Sequence, residues 1–193
     1  WVPAASGQTF TNLNPADTRE AVAQYPQGGR ADALAAIAAA QAAAPGWAAQ
    51  TSVARGRVLS KASQLIEARK AELAEFLTRE EGKTLAESTG EVQRTADIFR
   101  FFGGLSYQLG GQTIPHDLPS QLLYTRREPL GVVALITPWN FPIAIPAWKM
   151  APALVSGNAV IIKPASQAPA MACELAKILA EATSVRFDGS DLM

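Results

Sequence analysis

The chain has 193 residues, and its 17 Lys and Arg residues balance its 17 Asp and Glu residues. The balanced charge argues against a nucleic-acid-binding protein, which usually carries a basic excess on one face, and a hydrophobic content of 48% argues against a disordered acidic segment. The single cysteine excludes an intramolecular disulfide and favours a reducing, cytoplasmic compartment.

Turn signals dominate the N-terminal region and enclose one predicted strand. The Asn-Pro-Ala-Asp sequence at residues 14–17 and the Gln-Gly-Gly sequence at residues 27–29 are both typical of turns. Between them, residues 20–25 alternate in polarity enough to predict a short strand.

A helical section follows. Alanine is the strongest helix former, so the alanine-rich residues 32–44 are predicted to form a helix that Pro45 and Gly46 end. Apolar residues recur at helical spacing in three further segments, the last of which is expected to end at Gly110 and Gly111. These segments cover residues 52–69, 73–82 and 85–109.

The C-terminal part of the chain has the pattern of alternating strands and helices. Residues 121–127 contain a strand-like run, and continuous apolar runs at 132–137 and 159–162 predict strands buried on both faces, as in a parallel sheet. A helix is predicted after each of these two strands, over residues 143–155 and 169–182. The predicted fold class is α/β, with a helical N-terminal section and the start of a doubly wound, Rossmann-like parallel sheet that is incomplete in this chain.

The first buried strand leads into the run Ile136-Thr137-Pro138-Trp139-Asn140-Phe141-Pro142. Ligands of α/β proteins bind at the carboxyl ends of parallel strands, and the side-chain amide of Asn140 is the kind of donor that an oxyanion hole needs. The two prolines stiffen the turn and would fix the direction of this amide. The alternative is structural, because asparagine is also a common N-cap.

The second buried strand leads into Lys163-Pro164-Ala165-Ser166. A cation at this position can reach the ribose hydroxyls or a phosphate of a nucleotide that lies across the strand ends. The alternative is a solvated lysine in a loop, which is the usual state of a single lysine.

Four sequence blocks, taken in order and spacing, resemble the aldehyde dehydrogenase superfamily. They lie at residues 137–142, 149–154, 157–158 and 163–166, and residues 14–16 and 79–85 also fit, so that the resemblance covers residues 1–182. Residues 143–149 look closest to the α-ketoglutaric semialdehyde dehydrogenases. The alternative is the succinate semialdehyde dehydrogenases, because a run such as the one at residues 163–167 is typical of them.

The resemblance implies NAD(P)-dependent oxidation of a semialdehyde to its acid, with 2,5-dioxopentanoate giving 2-oxoglutarate. In this family a cysteine thiolate attacks the aldehyde, the thiohemiacetal passes a hydride to the nicotinamide, and a water activated by a glutamate releases the acid. Asn140 matches the catalytic amide that stabilises the oxyanion, and Lys163 and Ser166 match residues that hold the adenosine ribose. The implied cofactor-binding residues are Ile136, Thr137, Pro138, Trp139, Asn140, Lys163, Pro164, Ala165 and Ser166.

The cofactor is expected to be NADP or NAD. A glutamate at the position of Ser166 typically disfavours the 2′-phosphate of NADP by charge repulsion, and Ser166 removes that charge. The resemblance also implies a homodimer or homotetramer that acts on a small-molecule aldehyde. A nucleic acid is not an expected partner because the charge is balanced, and a membrane is not an expected partner because no apolar run reaches the ~18 residues that a membrane helix needs.

The chain also departs from the family pattern. Cys173 is not at the nucleophile motif and is expected to pack as a small hydrophobic residue, while Glu80, Glu81 and Glu174 do not match the base. No metal site is expected, because His116 is the only histidine and has no ligand cluster around it. A truncated, non-catalytic chain that lacks the nucleophile is therefore the alternative function.

The expected organisation has three assigned parts. Residues 1–120 form the helical part of the cofactor-binding domain, residues 121–130 match the region where the family builds its oligomerisation strands, and residues 131–182 form the first strand–helix units of the NAD(P)-binding domain. Residues 183–193 do not align with the family and remain unassigned.

Overall fold

The N-terminal region forms an antiparallel hairpin in the computed structural model, which describes residues 2–184. Strand β1 (Thr9–Asn14) pairs with β2 (Asp17–Pro26) across the predicted turn. The Asn14 side-chain oxygen accepts the N–H of Ala16 at 2.9 Å and so stabilises this turn. The alternation at residues 20–25 predicted β2 correctly, whereas β1 was not predicted.

Helix α1 (Arg30–Ala48) begins after Gly29 and continues through Pro45 and Gly46. The prediction that these two residues end the helix is wrong. The indole N–H of Trp47 donates to the carbonyl of Leu154 at 2.9 Å, and the buried guanidinium of Arg55 donates to the carbonyl of Ala48 at 3.3 Å. These tertiary contacts hold the last turn of α1 in place and override the local effect of the proline.

The next three helices form one part of the core. They are α2 (Ser52–Ala68), α3 (Lys70–Glu81) and α4 (Leu85–Leu105), and α4 is followed by a 3₁₀ turn at Ser106–Gln108. Their inward faces bury the apolar residues that the helical spacing predicted. The fully buried members include Leu59, Ile66, Leu77, Val92 and Phe99.

Helices α2 and α4 approach each other closely at two glycines. A Cβ atom on Gly56 would lie 2.2 Å from Ser106 Oγ and 2.6 Å from the carbonyl oxygen of Gly103. A Cβ atom on Gly103 would lie 2.5 Å from Ser60 Oγ. Because a backbone oxygen cannot move aside without shifting the helix, only glycine fits at position 56.

We therefore expect Gly56→Ala to destabilise the protein. Overpacking of a tight core contact costs about 1–3 kcal/mol or more, and this exceeds the gain of ~1 kcal/mol that alanine brings to a helix interior. Gly90→Ala is the matched control, because it lies in α4 with no atom within 4 Å of the added Cβ. Denaturant titration of the full-length protein should show Gly56→Ala less stable and Gly90→Ala slightly more stable than the wild type. Equal stability of Gly56→Ala and the wild type would contradict the packing account.

A second antiparallel pair follows the helices. Strand β3 (Thr113–Ile114) pairs with β4 (Leu123–Tyr124). The strand-like run predicted for residues 121–127 is therefore shortened to two residues. The pair is exposed, as are Leu118, Leu122 and Leu130 around it.

The last four elements form a β–α–β–α unit. Strand β5 (Val132–Ile136) and strand β6 (Ala159–Lys163) are parallel, and they alternate with helices α5 (Ala144–Val155) and α6 (Ala170–Ser184). Helix α5 packs on α4, α6 packs on α2, and α1 lies against the two strands. This order confirms the predicted α/β class with the start of a parallel sheet.

One feature of β5 differs from the prediction. Ile136 is 70% exposed and Ala134 is also exposed, although Leu135 between them is buried. Alternate residues of a strand point to opposite faces, so one face of β5 is covered and the other is open at these two residues. The prediction that β5 is buried on both faces is therefore wrong for the described part of the chain, which supplies only two strands of this sheet.

No helix within residues 2–184 combines the length and the apolar character needed to cross a membrane.

Candidate active site

Residues 136–142, at the end of β5, and residues 163–166, at the end of β6, lie side by side at one end of the parallel sheet. Ile136 and Lys163 are partners in the β5–β6 register, and the N–H of Thr137 donates to the carbonyl of Lys163 at 3.3 Å. Both blocks follow the carboxyl ends of their strands, which is where α/β proteins bind ligands. The structure thus pairs two residues that are 27 positions apart in the sequence.

Asn140 lies in the loop between β5 and α5 and is exposed. Helix α5 begins at Ala144 with Ile143 as its N-cap, which makes no side-chain cap hydrogen bond. The structural alternative, in which Asn140 caps the helix, is therefore wrong. Among the described contacts of Asn140, its backbone carbonyl accepts a hydrogen bond from the ammonium of Lys83 at 3.1 Å, so that its side-chain amide remains available to a ligand.

Lys163 and Ser166 line an open cleft of about 830 Å³, which we call the Lys163 cleft. Both residues are exposed. The opposite wall comes from the N-terminal hairpin and the first turns of α6. The lining residues include Pro164, Ala165, Phe10, Tyr25, Cys173 and Lys177.

The Lys163 cleft combines aromatic and apolar walls with two ammonium groups, those of Lys163 and Lys177. Burial raises the pKa of Tyr25, so its phenol stays neutral and presents a flat, uncharged ring. Apolar walls with a few charged groups suit a ligand that has a flat ring at one end and anionic groups at the other. A nucleotide has this form.

A smaller cleft of about 370 Å³ joins the two strand ends. Trp139 from the β5 loop and Ser166 from the β6 loop both line it, together with Glu80 and Glu81 from the end of α3. Trp139 is 53% exposed. Its indole therefore offers an apolar surface that connects the Asn140 loop to the Lys163 cleft.

Each of the two strand-end loops is held by a buried glutamate from the helical section. Glu91 Oε1 accepts the N–H groups of Ile143 at 3.2 Å and Ala144 at 3.1 Å, at the start of α5. Glu80 Oε1 accepts the N–H of Ala170 at 2.7 Å, at the start of α6. A carboxylate at a helix N-terminus satisfies free N–H groups and is stabilised by the helix dipole.

Glu80 also binds the amide of Asn12 at 3.0 Å, and that amide donates to the carbonyl of Gln167 at 3.1 Å. Burial raises the pKa of Glu80 to about 7, and the N–H groups of Ala170 and Met171 oppose this shift. The anchoring roles of both glutamates were not predicted from the sequence. The available signal was that each one lies on the apolar face of its helix, close to Leu77 or Val92.

Cys173 lies on α6 and is partly buried in the wall of the Lys163 cleft. Burial raises the pKa of its thiol, and the nearby charge of Lys177 only partly opposes this effect. A thiol that stays protonated is a poor nucleophile. The structure therefore gives Cys173 no activation of the kind that a catalytic cysteine requires.

We expect Cys173→Ser in the full-length protein to leave kcat within about twofold of the wild type, because a structural, protonated cysteine is inert. Steady-state turnover checks this expectation. Covalent trapping of an aldehyde substrate on Cys173 would contradict it.

Within residues 2–184, no group of three or more His, Cys, Asp and Glu side chains is arranged to hold a metal ion. His116 lies in the loop between β3 and β4, where its Nδ1 accepts the N–H of Leu118 at 3.0 Å and lies 3.1 Å from an oxygen of Asp117.

Comparison with known proteins gives a consistent family relationship. A model described as the aldehyde dehydrogenase family matches residues 1–185. The chain is 50% identical to an alpha-ketoglutarate semialdehyde dehydrogenase of Haloferax volcanii over 182 residues, which are 94% of this chain and 38% of that relative. It is 42% identical to a 2,5-dioxopentanoate dehydrogenase of Saccharolobus solfataricus, with the same coverage. The chain thus spans 38% of the length of these two relatives.

Solved structures agree with this relationship. The chain matches an E. coli NADP-dependent enzyme with a TM-score of 0.92 and 36% identity, covering 95% of this chain and 38% of that structure. It also matches two structures of PnpE, one in complex with nicotinamide adenine dinucleotide and one from Pseudomonas sp. WBC-3, each with a TM-score of 0.90 and 38% identity and covering 94% of this chain and 37% of that structure.

Proposed function

The chain belongs to the aldehyde dehydrogenase family, and from this premise we propose that the full-length protein oxidises a semialdehyde to its carboxylic acid with NADP or NAD. The proposed substrate is 2,5-dioxopentanoate and the product 2-oxoglutarate, because the two curated relatives described above carry names for that activity. The single observation that carries the proposal is the pairing of Ile136 with Lys163, which places the Asn140 loop beside the Lys163 cleft.

In this proposal Asn140 acts on the oxygen of the aldehyde. The negative charge that develops on this oxygen when a nucleophile adds to the carbonyl is stabilised by a fixed side-chain N–H donor. The exposed side-chain amide of Asn140 supplies the donor, while the backbone carbonyl of the same residue accepts a hydrogen bond from Lys83. We propose that the nucleophilic cysteine and the base glutamate implied by the family resemblance lie in the part of the protein that corresponds to the length of the relatives not spanned by this chain.

The cofactor residues form the other half of the proposal. Lys163 and Ser166 bind the adenosine ribose, and the 2′-phosphate when NADP is bound, while Pro164 and Ala165 line the cleft beside them. The exposed Ile136, Pro138 and Trp139 continue the binding surface toward Asn140 in this proposal, whereas Thr137 is buried and contributes through its N–H, which donates to the carbonyl of Lys163. The bound nicotinamide would accept the hydride from the substrate. Solved relatives described as NADP-dependent or as complexed with NAD support a nicotinamide cofactor in general.

We also propose an oligomeric state and a cellular location for the protein. The exposed β3–β4 pair and the apolar residues around it, Leu118, Leu122 and Leu130, suit a subunit interface of a homodimer or homotetramer. Cys173 is the only cysteine of these 193 residues, so they form no disulfide among themselves, and this supports a cytoplasmic location because reducing compartments do not select for disulfides.

The experiment is a substrate comparison on the full-length protein. Purified protein should reduce NADP or NAD with 2,5-dioxopentanoate at a higher kcat/KM than with succinate semialdehyde. The opposite order would favour the succinate semialdehyde alternative. If neither semialdehyde supports reduction of NADP or NAD, the assignment to these substrates is overturned. If no other aldehyde is oxidised either, the result favours a non-catalytic protein.

A further inference from the structure

Lys83 occupies the short link between α3 and α4, and both of its neighbours fix it there. Gly82 ends α3 with a φ of 90°, in the left-handed region, and its N–H donates to the carbonyl of Thr78 at 2.9 Å. Thr84 begins α4 with a capping box, in which Glu87 accepts the N–H of Thr84 at 3.0 Å. The backbone of Lys83 is therefore held by two helix caps.

The side chain of Lys83 is only 12% exposed and lies between two carboxylates. Its ammonium is 2.5 Å from Glu91 Oε2 and 3.2 Å from Glu81 Oε2. Glu91 is the carboxylate whose other oxygen binds the first N–H groups of α5. One connected set of charges thus joins the α3–α4 link to the start of α5.

The ammonium of Lys83 also reaches the Asn140 loop directly. It donates to the carbonyl oxygen of Asn140 at 3.1 Å, and it lies 4.6 Å from the centroid of the Phe141 ring. Charge-assisted hydrogen bonds and cation–π contacts are both strengthened when the cation is shielded from water. An ion pair needed only to stabilise the helices would require neither contact.

We propose that Lys83 is a positioning residue, which fixes the backbone of Asn140 so that its side-chain amide points at the substrate oxygen; the catalytic consequence rests on the proposed function. Lys83 does not itself touch the reacting atoms in this proposal. It acts through Asn140, with Glu91 holding both the ammonium and the helix that follows the loop.

The test uses a double-mutant cycle in the full-length protein. Lys83→Met should lower kcat by about 10- to 100-fold, because a small misplacement of a catalytic group can cost ~10²-fold, and should leave KM for the cofactor nearly unchanged. In an Asn140→Ala background the same change should lower kcat by no more than about twofold, since residues that act through each other are not additive. Multiplicative effects would overturn the proposal.

Two further variants keep the test decisive. Lys83→Met leaves Glu81 and Glu91 without their cation, so Lys83→Met combined with Glu91→Gln restores the original net charge and keeps an oxygen for the α5 N–H groups. This double variant should fold and still show the kcat loss. Lys70→Met is the matched control on α3, because that lysine binds Gln93 at 3.1 Å on another helix, and it should leave kcat unchanged.

A crystal structure of the charge-restored double variant, compared with that of Glu91→Gln alone, gives a readout independent of activity. The backbone at Asn140 should move from its wild-type position, and an unmoved loop would overturn the proposal. If the wild-type protein oxidises no aldehyde, the proposed function fails, and this structure alone decides whether Lys83 positions the loop.

Discussion

Replacement of Asn140 by alanine is expected to lower kcat for aldehyde oxidation by about 10²-fold or more, which is the usual effect of removing one oxyanion donor. The residue lies in an exposed loop at the carboxyl end of β5, between Pro138 and Pro142, and Lys83 holds its carbonyl. The amide would therefore meet the developing charge without reorganisation. Steady-state kinetics of the full-length protein measure the effect.

Asn158→Ala provides a control of the same chemical type at the opposite end of the sheet. The side chain of Asn158 is buried and binds the N–H of Gly131 at 3.0 Å and the carbonyl of Ala153 at 3.1 Å. Its loss should lower stability by about 1–3 kcal/mol and leave kcat of the folded protein close to the wild-type value. An Asn140→Ala protein that folds normally and keeps wild-type kcat would show that this amide is not the oxyanion donor.

The second large effect is expected for Ser166→Glu, which should reduce kcat/KM for NADP selectively. In the Lys163 cleft the substitution would place a carboxylate beside the 2′-phosphate position. At a separation of ~4 Å such a like-charge contact costs on the order of 1–4 kcal/mol, depending on the effective dielectric. This corresponds to a loss of roughly five- to several-hundred-fold in NADP use, whereas NAD use should hardly change.

Ser166→Gln is the control that separates the effect of the added charge from the effect of the larger side chain. Glutamine has nearly the shape of glutamate but no charge, so this variant should retain most of the NADP activity. Comparing kcat/KM for both cofactors across the wild type and the two variants completes the measurement. Strict use of NAD by the wild type, or equal losses in the two variants, would count against the cofactor role of Ser166.

Local pattern predicted much of the fold because the responsible interactions are local. Helical spacing identified α2 and α4, and apolar runs between turn signals identified β5 and β6. The predicted end of α1 was wrong because hydrogen bonds of Trp47 and Arg55 to partners on other elements outweigh the effect of Pro45 on the helix. Strand β1 was missed because it is stabilised by pairing with β2, and its own residues alternate only weakly.

Part of the candidate site could also be predicted, because the order of the strands and helices constrains it. The carboxyl ends of two successive parallel strands must lie at the same edge of a sheet, so the neighbouring positions of Ile136 and Lys163 follow from the order of the elements. The hydrogen bonds of the anchoring glutamates do not follow from the order of the elements. Glu91 and Ile143 are 52 positions apart, and Glu80 and Ala170 are 90 positions apart. No spacing rule connects such pairs before the helices are packed.

A crystal structure of the full-length protein with bound NADP tests the central claim most directly, because it measures distances to the two strand-end loops. We predict that Lys163 Nζ and Ser166 Oγ lie within hydrogen-bond distance of the ribose or its 2′-phosphate, and that the amide of Asn140 faces the nicotinamide end of the cofactor. A cofactor bound away from the carboxyl ends of β5 and β6, with no contact to Lys163 or Ser166, would contradict the account.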